Sequence, residues 1–190
     1  MDVYSKRKKE AYTINKTFYR SSIMNNRTRI ILRYLFAVLL GVFLHFAYEL
    51  SGENPIVGLF ALVNESVWEH LKLLFFPMLV LTLWDLFTTQ RNNLCFLPAR
   101  TIGTLSGLAF IVVVFYTVTG VLGLSNVAWI NILIYLLGVA YAFLIEKKLG
   151  NKCNTISVKL SIVIWILFII LFIVFTIAPP ALGIFIPSVA

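Results

Sequence analysis

The chain has 190 residues, of which 60% are apolar and only 13% charged, with 16 Lys+Arg against 8 Asp+Glu. Ordinary soluble domains run at roughly 45–50% apolar and ~25% charged, so this chain has too few polar residues to cover a water-facing surface. That excludes a soluble globule, a disordered chain and a disulfide scaffold, and it predicts an all-α integral membrane protein built as a helical bundle.

Residues 1–29 open the chain as a polar, basic segment. Lys6, Arg7, Lys8, Lys9, Lys16, Arg20, Arg27 and Arg29 face only Asp2 and Glu10. A basic run about twenty residues ahead of a membrane span is expected to set topology and to attract anionic lipid, at about 1 kcal/mol per basic residue near the surface. Nucleic acid is not the expected partner. Residues 30–190 form the predicted transmembrane domain. A spanning helix needs about 20 apolar residues, and five stretches qualify, near 30–50, 70–87, 101–124, 127–146 and 157–177. In lipid each must satisfy its own backbone, so they are predicted as helices. The ~10-residue alternating segments of a β-barrel do not occur.

The loop charges predict an orientation. Glu49, Glu53, Glu65 and Glu69 follow the first span, with no basic residue before Lys72. Arg91 and Arg100 follow the second, and Lys147, Lys148, Lys152 and Lys159 follow the fourth. Basic residues thus alternate with the spans, which places the N-terminus in the cytoplasm and the C-terminus outside. The first span is too long for a cleaved signal, lacks an A-x-A site, and is read as an anchor. Cys95 and Cys153 fall in predicted cytoplasmic loops, where free thiols are expected.

Between spans one and two, Ser51-Gly52 can end a helix and Asn54-Pro55 can start one. A single helix over 55–87 would be about 50 Å long at 1.5 Å per residue, far beyond the membrane. A break near Asn64 is therefore predicted, with 55–63 as a short interfacial or re-entrant helix. Re-entrant backbone survives only beside protein or a watery cavity, which hints at a cavity at that end. Pro77 is expected to kink span two. Gly103-Thr-Leu-Ser-Gly107 lets a second helix approach closely. It is read as an intramolecular contact, with a homodimer face as the alternative.

Ionisable groups inside spans mark functional sites by default. His45 and Glu49 share a helix face at the outer end of span one. Asn64, Glu65, Ser66, Trp68, Glu69, His70 and Lys72 cluster at the outer start of span two. Tyr116, Thr117 and Thr119 reach the same side on span three, and Trp129, Asn131 and Tyr135 leave it on span four. Three readings compete. Ser66-Val-Trp-Glu69 is a capping-box pattern, with Trp68 and Trp129 as interface anchors. Alternatively, His45, Glu49, Glu65 and His70 form a proton or cation relay. Or His45, Glu49, Glu65 and His70 bind Zn²⁺, although the H-E-x-x-H and H-x-x-E-H spacings are absent. No cofactor is predicted; Zn²⁺ is kept as the alternative. Ser106 lacks the first Gly of a G-x-S-x-G turn, and no P-loop or dinucleotide fingerprint occurs.

The stretches His45-Phe-Ala-Tyr-Glu49, Ser51-Gly-Glu-Asn-Pro55 and Asn64-Glu-Ser-Val-Trp-Glu-His70 resemble a family of small polytopic membrane proteins catalogued only as a domain of unknown function. Tyr116-Thr-Val-Thr-Gly120 and Pro179-Pro180 are similar to it as well. The tail departs from that family's polar ending, because it stays apolar through Ile184-Phe-Ile-Pro187. The resemblance implies a shared fold and brings no activity with it. The leading functional reading is an outward-facing pocket of His45, Glu49, Asn64, Glu65, Glu69, His70 and Tyr116 for a proton, cation or small solute, in transport or sensing. A metal-dependent intramembrane hydrolase and an assembly protein without pocket chemistry are the alternatives.

Overall fold

The computed structural model describes residues 27–88, 94–121, 128–150 and 155–187. The basic run Lys6–Lys9, the turn at 124–127 and Cys153 lie outside these. Five helices are long and apolar enough to cross a membrane. They are α1 (Arg27–Leu50), α3 (Val67–Thr88), α4 (Leu97–Tyr116), α5 (Ala128–Leu149) and α6 (Thr155–Ile177), with a four-residue helix α2 (Pro55–Gly58) between the first two. Among the described residues there is no β-strand, only an isolated bridge between Ser66 and Pro187. Residues from Phe36 onward form one compact unit, and residues 27–35 are the opening turns of α1.

α3 is the central helix. Its most apolar window is 61% buried, against 17% for α6. The core around it is aromatic. Phe75 packs on Trp165, Phe168 and Phe172 with ring centroids 4.9–6.0 Å apart. Such pairs each add about 0.5–1.5 kcal/mol beyond their buried area. Outward side chains on α5 and α6, such as Leu133, Leu144, Ile162 and Ile170, are apolar and exposed, as a lipid-facing surface requires.

Helix contacts alternate end for end. The start of α3 meets the end of α6 through Thr176 and Glu69. At the other end, Arg100 near the start of α4 reaches Asp85 on α3 and Glu146 on α5. That alternation is what successive crossings produce. Gly103 and Gly107 lie against α5: a Cβ at Gly103 would stand 2.6 Å from the Ala142 carbonyl oxygen, and one at Gly107 2.9 Å from that of Gly138. The G-x-x-x-G face is thus taken within the chain.

Several expectations change. Two helices start earlier than hydropathy suggests. α3 begins at Val67 and α4 at Leu97, which brings Glu69 and Arg100 inside helices alongside Lys72, where all three are buried. They are tolerated there because each is paired (below). The predicted helix over 55–63 is also shortened. Asn54 caps it, with its Oδ1 accepting from Ile56 N at 2.9 Å, and Pro55 occupies the first turn. It stops after Gly58 because α3 side chains bind the backbone that a longer helix would use. Lys72 Nζ donates to the Gly58 and Ala61 carbonyls, and Val63 N donates to Glu69 Oε2. α1 ends where expected, at a left-handed Gly52 with φ 69°.

Trp68 is half-buried and packs within the protein. It stacks among Phe172, Phe175 and Phe185. Phe185 comes from the apolar tail, which folds back so that Pro187 bridges to Ser66. A tail that packs on the protein has no need of polar residues, which accounts for its composition. Trp129, by contrast, is exposed. Cys95 is disulfide-bonded, not the expected free thiol. A disulfide is unusual in the reducing cytoplasm, so this bond stands against the cytoplasmic placement that the loop charges predict for that end.

Candidate functional site

Three elements carry chemistry to the acidic end of the helices. Near the end of α1, His45 projects from a helix face shared with Gly41. In the loop ahead of α3, Asn64 Oδ1 accepts from Ser66 N at 3.0 Å and turns the chain into the helix. Ser66 Oγ accepts from Glu69 N at 3.3 Å. Only this half of the expected capping box forms. The Glu69 side chain does not return to Ser66 N, because it is drawn inward to a cation, and Asn64 takes its place.

That cation is Lys72. Its ammonium is fully buried and lies 2.7 Å from Glu69 Oε2. The other Glu69 oxygen lies 3.2 Å from Thr176 Oγ1, whose single hydrogen it shares with the Phe172 carbonyl at 2.7 Å. The ammonium and Glu69 Oε2 are therefore satisfied internally, as a buried ion pair requires. It clamps residues 58–63 and the end of α6 onto the start of α3. Removing Glu69 from the pocket leaves Glu65 as its acid.

Glu65 lies between the two histidines. Its Oε2 is 3.4 Å from His70 Nε2, and its Oε1 is 3.9 Å from His45 Nε2. One ligating atom from each of the three residues falls within 4.8 Å of the others. The imidazole rings meet edge to face, with centroids 5.7 Å apart. His70 is one turn along from Ser66, and its Nδ1 lies 2.9 Å from the Ser66 carbonyl oxygen. A carbonyl can only accept, so Nδ1 carries the hydrogen and Nε2 presents a lone pair toward Glu65 in the neutral ring.

These groups line a cavity of about 410 Å³ whose wall also includes Asn131 and Tyr135 from α5 and the apolar Phe46 and Leu73. Tyr135 is fixed in place. Its hydroxyl lies 3.2–3.4 Å from the carbonyls of Ala37, Val38 and Leu73, against Gly41, where a Cβ would collide with it. One phenol thereby ties α5 to both α1 and α3, and holds the cavity walls at a set distance.

The residues singled out from sequence thus separate. His45, Glu65 and His70 come together. Asn64 shapes the turn, Glu69 belongs to the Lys72 cluster, and Glu49 and Tyr116 are exposed and do not line the cavity. Asn131 and Tyr135 were visible as polar residues on span four, one turn apart. A second buried cluster was missed. Arg100 Nε donates to Glu146 Oε2 at 2.7 Å and its Nη2 to Asp85 Oδ2 at 3.0 Å, joining three helices at the basic end. The signal was there: Asp85, Arg100 and Glu146, two acids and one base from three successive helices, fall at the same end of the spans.

No curated protein and no solved structure matches the chain. One family profile does, over residues 19–190, which takes in all five long helices and the His–Glu–His pocket. With that coverage, the chain belongs to the family of unknown function DUF6512.

Proposed function

We propose that the protein binds a small cation or polar solute in the His45–Glu65–His70 pocket, in the service of transport or sensing across the membrane. One observation carries this reading: both histidines of the chain and a carboxylate from a third position converge on a single cavity of about 410 Å³. Ionisable groups this close to the membrane are costly unless they have a task. Glu65 is half exposed, so the cavity communicates with solvent at the acidic end. The alternation of basic and acidic loops supports placing that end outside the cell, with the N-terminus inside and its basic segment on anionic lipid.

Protein reconstituted in vesicles and screened for proton, cation and small-solute flux tests the reading. Glu65→Gln is expected to abolish the activity found, while Glu49→Gln leaves it intact. Binding or flux that is lost with Glu49 and kept without Glu65 refutes the assignment. A cysteine introduced at Glu53 should react with an impermeant maleimide on intact cells; labelling only after permeabilisation would reverse the orientation.

A further inference from the structure

We infer that His45 Nε2, His70 Nε2 and the Glu65 carboxylate form a binding site for one divalent transition-metal ion of the Zn²⁺ class. This rests on the pocket reading above and narrows its occupant. The first argument is spacing. Ligands about 2.0–2.2 Å from a tetrahedral ion stand about 3.3–3.6 Å from one another. The separation of 3.4 Å between Glu65 Oε2 and His70 Nε2 meets that; His45 Nε2 lies 3.9 Å from the other Glu65 oxygen, and the three ligand atoms fall within 4.8 Å of one another, so His45 must close the remaining gap by side-chain torsion.

The second argument is the support behind His70. Imidazoles that ligate metals nearly always donate the other ring nitrogen to a carbonyl or carboxylate, which fixes the tautomer and aims the lone pair. His70 Nδ1 donates to the Ser66 carbonyl in this way at 2.9 Å. That carbonyl is set in turn by the Asn64–Ser66 turn. His45 Nδ1 is buried with no such partner among the described residues, so His45 is the weaker ligand of the two.

The donor set decides the class of ion. Two imidazoles and one carboxylate suit Zn²⁺ and its neighbours, whereas Ca²⁺ and Mg²⁺ require mostly oxygen ligands. Three protein ligands also leave a position open toward the cavity, the pattern of sites that exchange water or substrate. Tyr135 does not fill it, because its hydroxyl is engaged with backbone carbonyls. The other two buried charge clusters hold no such site, since each contains its own cation in Lys72 or Arg100.

The test is titration of the full-length protein in detergent or nanodiscs with Co²⁺ alone and Zn²⁺ alone. The wild type should show the ligand-field absorption of four-coordinate Co²⁺, displaced by about one equivalent of Zn²⁺. Loss of a supporting group typically costs 10–100-fold in affinity, so Glu65→Gln and His70→Ala, which remove ligands, should cost more than about 100-fold. His45→Ala should cost less than His70→Ala, and Glu49→Gln nothing. Glu65 is half exposed, so its variant keeps the fold even if His70→Ala does not. Absence of a Co²⁺ band and of retained Zn²⁺ in the wild type overturns the metal assignment. If Glu65-dependent flux of another solute persists in that case, the pocket reading stands without the metal; if it does not, both fall. Metal binding unaffected by Glu65→Gln would also overturn the site.

Discussion

Lys72→Met is the most informative perturbation of the fold beneath the pocket. Methionine nearly preserves the volume of the lysine stem, so packing changes little. What is lost is the ammonium and its three bonds: 2.7 Å to Glu69, 2.9 Å to the Gly58 carbonyl and 3.2 Å to the Ala61 carbonyl. Breaking a buried pair by removing one partner costs about 3–5 kcal/mol, because the remaining charge is left unpaired. Each orphaned carbonyl adds about 1–3 kcal/mol unless water reaches it. Ala61 is fully buried, so its carbonyl has little recourse. A loss of at least about 4 kcal/mol is expected, concentrated in residues 58–66. Reversible unfolding in mixed micelles reads the total. Hydrogen exchange at Ala61, Leu62 and Val63 reads its location. The companion Glu69→Gln and the double variant complete a cycle, with a coupling of about 1–3 kcal/mol expected. A loss under about 1 kcal/mol, or unchanged exchange at 61–63, would refute the clamp.

Arg100→Leu should destabilise by about 3–5 kcal/mol, since it strands Asp85 and Glu146 together. Arg100→Lys should not restore this fully, because one ammonium cannot reproduce the separate Nε and Nη2 contacts; full recovery of thermal stability by lysine would count against the bridging role. Gly103→Ala should cost about 1–3 kcal/mol by overpacking against the Ala142 carbonyl. Gly120→Ala, where nothing lies within 4 Å, is the control; equal melting temperatures for the two variants would contradict the close α4–α5 approach.

Much of this architecture is legible in the chain. Five apolar runs of membrane length are a property of composition, and each helix satisfies its own backbone whatever it packs against. Asn54-Pro55 and Ser51-Gly52 act locally too, and the structure places a cap and a left-handed turn there. The convergence of His45, Glu65 and His70 was legible only as a shared depth. Glu49 has the same depth and spacing as the others, yet it lies on an exposed part of α1. Nothing in a one-dimensional pattern ranks Glu49 below Glu65.

Sequence alone determined the class of protein, the number of spans and the end at which acids and histidines collect, because hydropathy and charge are sums over residues. Tertiary structure decided which acids serve the pocket and which serve the fold. Glu65 and Glu69 are four residues apart and chemically near-identical, but the folded chain turns one toward two imidazoles and the other toward a buried ammonium. That choice depends on where Gly58, Ala61 and Thr176 arrive in space. Pairing of a buried charge is a property of three-dimensional neighbours, which distant segments of the chain supply only once they have packed.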